Sequence, residues 1–194
     1  MKEKETALLL VDVQEAFKDE AYWGGNRNNP QAEQNITLLL ADWRSKGWPV
    51  IHVKHNSKNP SSLLHATNPG NQIMDFARPH SGEPLFEKQV NSGFIGTGLQ
   101  AYLDEQEIKS LLIVGFISDH CVSTTARMAG NLGYEVFVAS DATATFDRIG
   151  PEGEHYKSEE IHRISLASLH EEFATIVRTE NMLSSAKEGS YGNL

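Results

Sequence analysis

The chain has 194 residues, and its 17 lysines and arginines against 26 aspartates and glutamates give a formal net charge of −9. This length fits one domain with a sizeable core, and the single cysteine excludes a framework of internal disulfides. The acidic balance argues against a nucleic-acid-binding protein, because a phosphate backbone needs a positively charged surface. No stretch approaches the ~20 apolar residues of a membrane span. The charged first residues are not typical of a secretory signal. We therefore expect a cytoplasmic protein with no nucleic-acid or membrane partner.

Apolar runs and helical periodicity predict strands that alternate with helices. Continuous apolar runs bounded by polar residues are typical of strands buried on both faces. In chain order they predict strands at 7–11, 50–53, 85–88, 111–116, 136–139 and 175–177. Helices are predicted at 30–46, 97–106, 121–132 and 158–172. Polar stretches containing glycine at 54–84 and 147–157 are predicted as loops.

This alternation predicts a Rossmann-like three-layer sandwich, an α/β fold in which helices flank a six-stranded parallel sheet. We assign residues 1–180 to this single domain and 181–194 to a mobile C-terminal tail. A loop as long as 54–84 is usually functional in a compact domain, so we expect a lid or a subunit contact there. Ligands of such sheets bind beyond the carboxyl ends of the strands, and the functional residues are expected at that edge.

Three chemically active side chains follow predicted strands at this edge. Asp12 follows the first strand, Lys88 ends the third, and Cys121 lies just beyond the fourth, at the start of a predicted helix. Each residue alone is commonly structural, since a lone cysteine usually packs in a core. Together the three form a nucleophile, a general base and a cation. The partial positive charge of a helix N-terminus is expected to lower the pKa of the Cys121 thiol.

Two other classes of protein stay open on these residues. A non-catalytic protein of the same fold would bind a small ligand or a partner at this edge. A redox sensor would use a Cys121 thiol of low pKa, although no second cysteine is present to resolve its oxidised form. Nucleotide binding is disfavoured, because the turn at 12–17 has no glycine to cradle a phosphate.

Four short motifs occur in a fixed order along the chain. The first is LLVDVQ at 9–14, and the second is FEK at 86–88 followed by SGF at 92–94. The third is VGF at 114–116, which leads into DHCVSTTA at 119–126, and the fourth is ASDATA at 139–144. From about residue 6 to 177 the chain therefore resembles the isochorismatase-like cysteine hydrolases. Ser118 stands in a stretch where the family often has threonine, which is a mild departure.

The resemblance implies a catalytic triad of Asp12, Lys88 and Cys121. It also implies a cis peptide bond between Phe116 and Ile117, which in the family aims the amide of the second residue into the site. The N–H groups of Ile117 and Cys121 would then form the oxyanion hole. These roles follow from the family pattern and not from the spacing of the residues.

The resemblance also raises the question of a metal. Nicotinamidases of this superfamily bind a metal through an Asp-x-His element after the second strand. The corresponding stretch here reads HVKHN at 52–56, with His65 further on, and contains no Asp-x-His. We therefore expect no catalytic metal and no other cofactor, and we disfavour a nicotinamidase.

Candidate substrate-binding residues come from loops at the same edge. They are Gln14, Phe17, Trp23, His55, Phe94 and His120. Aromatic rings around a few polar groups are the usual form of a small-molecule site, although a core or subunit-contact role is about as common for each ring.

Family members that hydrolyse the vinyl ether of isochorismate can lack the cysteine, so a retained Cys121 favours attack on a carbonyl. The prediction is a homo-oligomeric hydrolase that cleaves a C–N bond of a small amide or carbamoyl-type substrate through a thioester on Cys121. The alternatives are hydrolysis of a small cyclic ether, as by an isochorismatase, and ligand binding without catalysis.

Overall fold

The computed structural model describes residues 6–184, and a six-stranded parallel sheet lies at its centre. The strands of this sheet are β1 (Ala7–Val11), β2 (Val50–His55), β3 (Leu85–Lys88), β4 (Ser110–Phe116), β5 (Glu135–Ala144) and β8 (Thr175–Val177). Their order is β3-β2-β1-β4-β5-β8, and every neighbouring pair is parallel. Two short strands, β6 (Arg148–Ile149) and β7 (His155–Tyr156), form a separate antiparallel hairpin. The predicted class of fold is confirmed.

Helices cover both faces of the sheet. They are α1 (Glu20–Trp23), α2 (Ala32–Lys46), α3 (Leu99–Glu105), α4 (Ser123–Asn131), α5 (Ser158–Leu169) and α6 (Thr179–Ser184). A π-helical turn, Ser118–Val122, leads into α4, and 3-10 turns lie at Glu15–Lys18, Pro69–Asn71 and Asp75–Ala77. None of the helices within 6–184 has both the length and the apolar character that spanning a membrane requires.

The uninterrupted apolar run of β1 results from its burial on both faces. Leu8 and Leu10 pack in the core on the α2 side of the sheet. Leu9 and Val11 pack in the second core, to which α3, α4 and α5 contribute. Because successive side chains of a strand point to opposite faces, a strand between two helical layers needs apolar residues at every position. The first polar residue after this run, Asp12, lies at the carboxyl edge.

Gly115 allows β4 to approach β1 closely near this edge. Its φ is +116°, and an added Cβ would lie 2.0 Å from the backbone oxygen of Val11. A side chain at this position would therefore push the two strands apart just before Asp12. The register of β4 against β5 also shifts between Ile113 and Gly115.

Several element boundaries differ from the sequence-based prediction. β5 continues to Ala144 instead of ending at residue 139, because pairing with β4 resumes beyond the register shift. Residues 147–157 are expected from the sequence to form a loop without strands. That prediction is wrong, because the β6–β7 hairpin lies there. Of the predicted tail, residues 181–184 belong to α6, and the rest lies outside the described residues. In the long excursion after β2, Asn71, Met74 and Ala77 are buried, so that part is anchored to the domain.

Candidate active site

The carboxyl edge of the sheet brings Asp12, Lys88 and Cys121 into direct contact. Lys88 Nζ donates a hydrogen bond to Asp12 Oδ2 at 2.7 Å and lies 3.2 Å from Cys121 Sγ. Asp12 and Lys88 are almost completely buried, and Cys121 keeps 9% of its surface exposed. An ion pair this deeply buried is costly unless its remaining hydrogen bonds are satisfied. The three side chains that the sequence singled out therefore form one cluster.

His55 is the fourth member of this cluster. It is the last residue of β2 and pairs with Lys88 across the β2–β3 ladder. Its Nδ1 lies 3.0 Å from Lys88 Nζ. From sequence, His55 is expected to bind substrate, and in the structure its ring lies against Lys88.

Burial and the charges of the cluster together favour the neutral thiol of Cys121. Burial alone would lower the pKa of Lys88, but the Asp12 carboxylate and Cys121 outweigh it and raise that pKa, so Lys88 is protonated. Burial and the Asp12 carboxylate raise the pKa of the Cys121 thiol, which Lys88 offsets only in part. The expected lowering of the thiol pKa by a helix N-terminus is therefore wrong for this site. A neutral thiol needs a base, and Asp12 is adjacent: its Oδ1 has no hydrogen-bond partner within 6–184.

The turn that carries Cys121 begins after an unusual peptide bond. The bond between Phe116 and Ile117 is cis, as the family resemblance implies. Ile117 is buried and immediately precedes the π-helical turn. The role of the Ile117 and Cys121 amides as an oxyanion hole stays a prediction.

Two side chains of α5 hold the start of this turn. Ser118 Oγ lies 2.7 Å from His162 Nδ1, and Ser165 Oγ donates to Ser118 O at 3.2 Å. His162 Nε2 lies 2.9 Å from Ser140 O and donates to it, so Nδ1 accepts from the serine hydroxyl. Burial lowers the pKa of His162, which keeps the ring neutral in this role. Sequence reasoning missed these contacts, because no local pattern links residues 44 positions apart.

An ion pair fixes the other side of the same turn. Arg148 Nε donates to Asp119 Oδ2 at 3.2 Å, and its Nη1 donates to the backbone oxygen of Trp23 at 3.2 Å. Thr145 Oγ1 also donates to Asp119. The segment that bears Cys121 is thus tied to the segment that contains α1, an arrangement that no sequence motif indicated.

Gln14 has a different environment from the one expected of a substrate contact. Its side chain is fully buried. Gln14 Oε1 accepts from His55 N at 2.8 Å, and Gln14 Nε2 donates to the backbone oxygens of His55 and Asn71. The amide therefore fixes the end of β2, and this use of both its polar atoms disfavours a direct contact with substrate.

The aromatic candidates lie on two sides of the sheet. The rings of Phe17, Trp23, Phe116 and Phe146 pack on one another, with centroid separations of 4.9 Å for Phe17–Trp23 and 5.5 Å for Phe17–Phe116. They belong to the core on the α2 side, whereas Phe94 shares the opposite core with Cys121 and stacks on Tyr134. Phe17 is only 2% exposed, which favours the core role for that ring. Substrate contacts by Trp23 and Phe94 stay predictions.

Two polar residues lie near Cys121, Asn91 in space and His120 in sequence. Asn91 is exposed, and its Oδ1 lies 3.9 Å from Cys121 Sγ. The side chain of His120, next to Cys121 in sequence, is half exposed and lies 3.4 Å from Asp119. Burial lowers the pKa of His120, which favours its neutral form. Substrate contact by His120 stays a prediction.

The donor atoms of the cluster do not fit a metal ion. Ligating atoms of Asp12, His55 and Cys121 lie within 4.8 Å of one another, which is the geometry of a possible metal site. The ammonium group of Lys88 already lies within hydrogen-bond distance of all three side chains. A divalent cation there would have to displace a buried, protonated lysine. His52 instead pairs with Glu83, and His65 with Thr67.

Comparison with known proteins places this chain and its fold in a family. A family model for the isochorismatase domain matches residues 6–181. An uncharacterized isochorismatase family protein, YrdC of Bacillus subtilis (strain 168), is 46% identical over 93% of this chain and 96% of its own length. A solved isochorismatase-family structure from Chromobacterium violaceum ATCC 12472 is 38% identical, covers 96% of both chains and superposes with a TM-score of 0.91. Streptothricin hydrolase of Streptomyces noursei is 35% identical over 73% of this chain and 50% of its own.

The parallel sheet and the residues at its carboxyl edge define a three-layer α/β hydrolase. Within that class, the chain belongs to the isochorismatase family.

Proposed function

We propose that this protein is a cysteine hydrolase that cleaves the C–N bond of a small amide or carbamoyl-type substrate through a thioester on Cys121. The observation that carries the proposal is the buried ammonium group of Lys88, which contacts both Asp12 Oδ2 and Cys121 Sγ. This arrangement joins a nucleophile, an adjacent base and a cation that stabilises negative charge on either. A redox sensor is disfavoured, because the thiol pKa is raised and the thiolate is the form that oxidants attack.

The proposed reaction begins with transfer of the Cys121 proton to Asp12. Oδ2 of the carboxylate is held by Lys88, and Oδ1 has no other hydrogen-bond partner among residues 6–184. The thiolate then attacks the substrate carbonyl, and a C–S bond forms as the carbonyl oxygen becomes an oxyanion. The amides of Ile117 and Cys121 are the proposed donors to it, and one such donor is worth about 10²–10³ in rate.

Collapse of this intermediate breaks the C–N bond. Protonated Asp12 gives its proton to the departing nitrogen, which leaves a thioester and restores the carboxylate. Asp12 then takes a proton from water, whose oxygen attacks the thioester carbonyl. The resulting collapse breaks the C–S bond and releases the acyl group as a carboxylic acid, while Asp12 returns its proton to the sulfur, so Asp12 alternates between base and acid.

The names of relatives support a C–N substrate. Besides streptothricin hydrolase, the chain is 28% identical to nicotinamidase 3 of Arabidopsis thaliana and 27% identical to ureidoacrylate amidohydrolase of Pseudomonas syringae pv. syringae. The last two names describe action on an amide or a ureido group. They favour a carbonyl bonded to nitrogen over a vinyl ether as the group that Cys121 attacks.

The test is a panel of small amides, ureas and carbamoyl compounds, including nicotinamide, with release of ammonia or amine measured for wild type and Cys121→Ala. We expect one class of compound to be hydrolysed by wild type, with turnover reduced at least about 10³-fold in Cys121→Ala. Mass spectrometry of the quenched wild-type reaction is expected to show an acyl adduct on Cys121, the only cysteine of the chain. Full activity in Cys121→Ala would exclude the thioester mechanism, and hydrolysis of a cyclic vinyl ether alone would favour the isochorismatase-type reaction.

A further inference from the structure

The ammonium group of Lys88 has three polar neighbours, and only two of them belong to the triad. Asp12 Oδ2 lies at 2.7 Å, His55 Nδ1 at 3.0 Å and Cys121 Sγ at 3.2 Å. An ammonium group carries three protons and no lone pair. Each neighbour must therefore accept a hydrogen bond, and His55 Nδ1 must be unprotonated, with the ring proton on Nε2.

We propose that His55 is a positioning residue that fixes the orientation of the Lys88 ammonium group toward Asp12 and Cys121. With one proton directed to the imidazole, the remaining two are directed to the carboxylate and the sulfur. Lys88 then has no proton left for substrate. The inference rests on the proposed function only in taking Cys121 as the group that reacts.

The backbone of His55 is held rigidly enough for this role. His55 N donates to Gln14 Oε1 at 2.8 Å. His55 O accepts from Gln14 Nε2 at 3.1 Å and from Asn71 Nδ2 at 3.0 Å. Gln14 and Asn71 are both buried, and neutral amides keep this geometry at any pH. A side chain with so constrained a backbone is suited to directing a neighbour's hydrogen bonds.

The electrostatic surroundings keep the imidazole in its accepting form. The charged groups that face it are the Lys88 ammonium and the Asp12 carboxylate. Burial and the positive charge of Lys88 lower the pKa of His55, and the opposing effect of Asp12 is smaller. The ring is therefore neutral at physiological pH, as an acceptor for Lys88 must be.

Alkylation of Cys121 by iodoacetamide tests this role without a substrate. Cys121 is the only cysteine, so the rate against pH reports its thiolate alone. In His55→Ala the ammonium loses one acceptor and its orientation. Because a hydrogen bond to a charged group is lost, we expect alkylation at pH 8 to slow about ten-fold and its pH profile to shift upward. In His55→Asn, whose Oδ1 is an acceptor near the position of Nδ1, we expect most of the rate to return. His80→Ala, which removes an exposed histidine, serves as the matched control.

The outcomes separate this inference from the proposed function. An unchanged alkylation profile in His55→Ala, or an equal loss in His55→Asn, would overturn the positioning role while wild-type hydrolysis could still stand. Loss with rescue in a protein that hydrolyses no amide would support the role and remove the proposed function. If His55→Ala does not fold, ¹⁵N NMR of the wild-type imidazole decides: the Nε2–H tautomer supports the inference, and an Nδ1–H tautomer overturns it.

Discussion

At the scale of single residues, Asp12 has two effects on Cys121 that act in opposite directions. In the proposed mechanism Asp12 is the base that makes the sulfur reactive toward substrate. Burial raises the pKa of the resting thiol, and the negative charge of Asp12 raises it further. A buried ammonium needs a negative partner. When the carboxylate is removed, the sulfur is the nearest group able to ionise in its place.

We therefore expect Asp12→Asn to reduce hydrolysis at least about 10³-fold and yet to accelerate alkylation of Cys121 at pH 7. The measurements are turnover of the best substrate from the panel and the rate of iodoacetamide labelling on the same preparation. Parallel loss of both rates would show that Asp12 lowers the thiol pKa instead of raising it. Lys88→Met is the useful comparison, because removing the cation is expected to slow both reactions.

The contact of Lys88 with Asp12 and Cys121 could be predicted from sequence, but its contact with His55 could not. Asp12, Lys88 and Cys121 each follow an apolar run, and parallel strands end at one edge of a sheet. The contact of His55 with Lys88 depends on the β2–β3 register, which closes over an excursion of about 30 residues. The sequence does not predict the burial of Gln14 either, because a polar residue after a strand usually points to solvent.

At the scale of secondary-structure elements, the close approach of β4 to β1 controls the spacing of the site. Gly115 has a φ of +116°, and a Cβ there would lie 2.0 Å from Val11 O. The two strands deliver Asp12 and the Cys121 turn to the edge. Any separation at Gly115 would therefore both weaken the sheet and move Asp12 away from Cys121.

We expect Gly115→Ala to lower the free energy of unfolding by at least about 3 kcal/mol, measured by urea denaturation. Gly133→Ala is the matched control, since Gly133 also has a positive φ, of +86°, but no atom lies within 4 Å of an added Cβ. That variant carries only the backbone strain, about 1–2 kcal/mol. Equal losses in the two variants would show that strand approach at Gly115 contributes nothing beyond the backbone conformation.

The elements themselves were largely predictable, since the buried strands are continuous apolar runs of the kind that β1 and β4 show. The length of β5 could not be predicted, because the residues of its second half, from Ser140 onward, are mostly small or polar. They pair with β4 only beyond a register shift. The cis bond before Ile117 has no signature in composition or periodicity. It entered the sequence analysis only through the resemblance to a family.

At the scale of the whole molecule, a partly buried ion pair fastens the long excursion after β2 to the domain. Glu83 accepts two hydrogen bonds from Arg44 on α2 and contacts His52 on β2. Burial would raise the pKa of Glu83, but the hydrogen bonds from Arg44, His80 and His52 lower it to about 2.

Three expectations about the whole molecule stay predictions. They are the role of residues 54–84 as a lid or subunit contact, the homo-oligomeric state and the cytoplasmic location.

Two buried histidines and one partly buried histidine should make the stability of the whole fold depend on pH. Burial lowers the pKa of His52, His55 and His162 below 6.5 in the folded protein. Between that value and the lower folded pKa values, the unfolded chain binds more protons than the folded one, so stability falls as the pH drops. Each histidine contributes a slope of up to about 1.4 kcal/mol per pH unit in this window.

We expect the melting temperature to fall steadily from pH 7.5 to pH 5.5 in 1 M NaCl and to change little from pH 7.5 to pH 8.5. The salt is essential, because acidification also reduces the net charge of −9 and relieves repulsion, which has the opposite sign. At 1 M the Debye length is about 3 Å, so surface repulsion is screened while buried groups are affected much less. In His162→Gln we expect the melting temperature to depend less steeply on pH, because one of the three histidines no longer contributes. A melting temperature that stays constant from pH 7.5 to 5.5 at this salt concentration would mean that these rings are not held neutral by the fold.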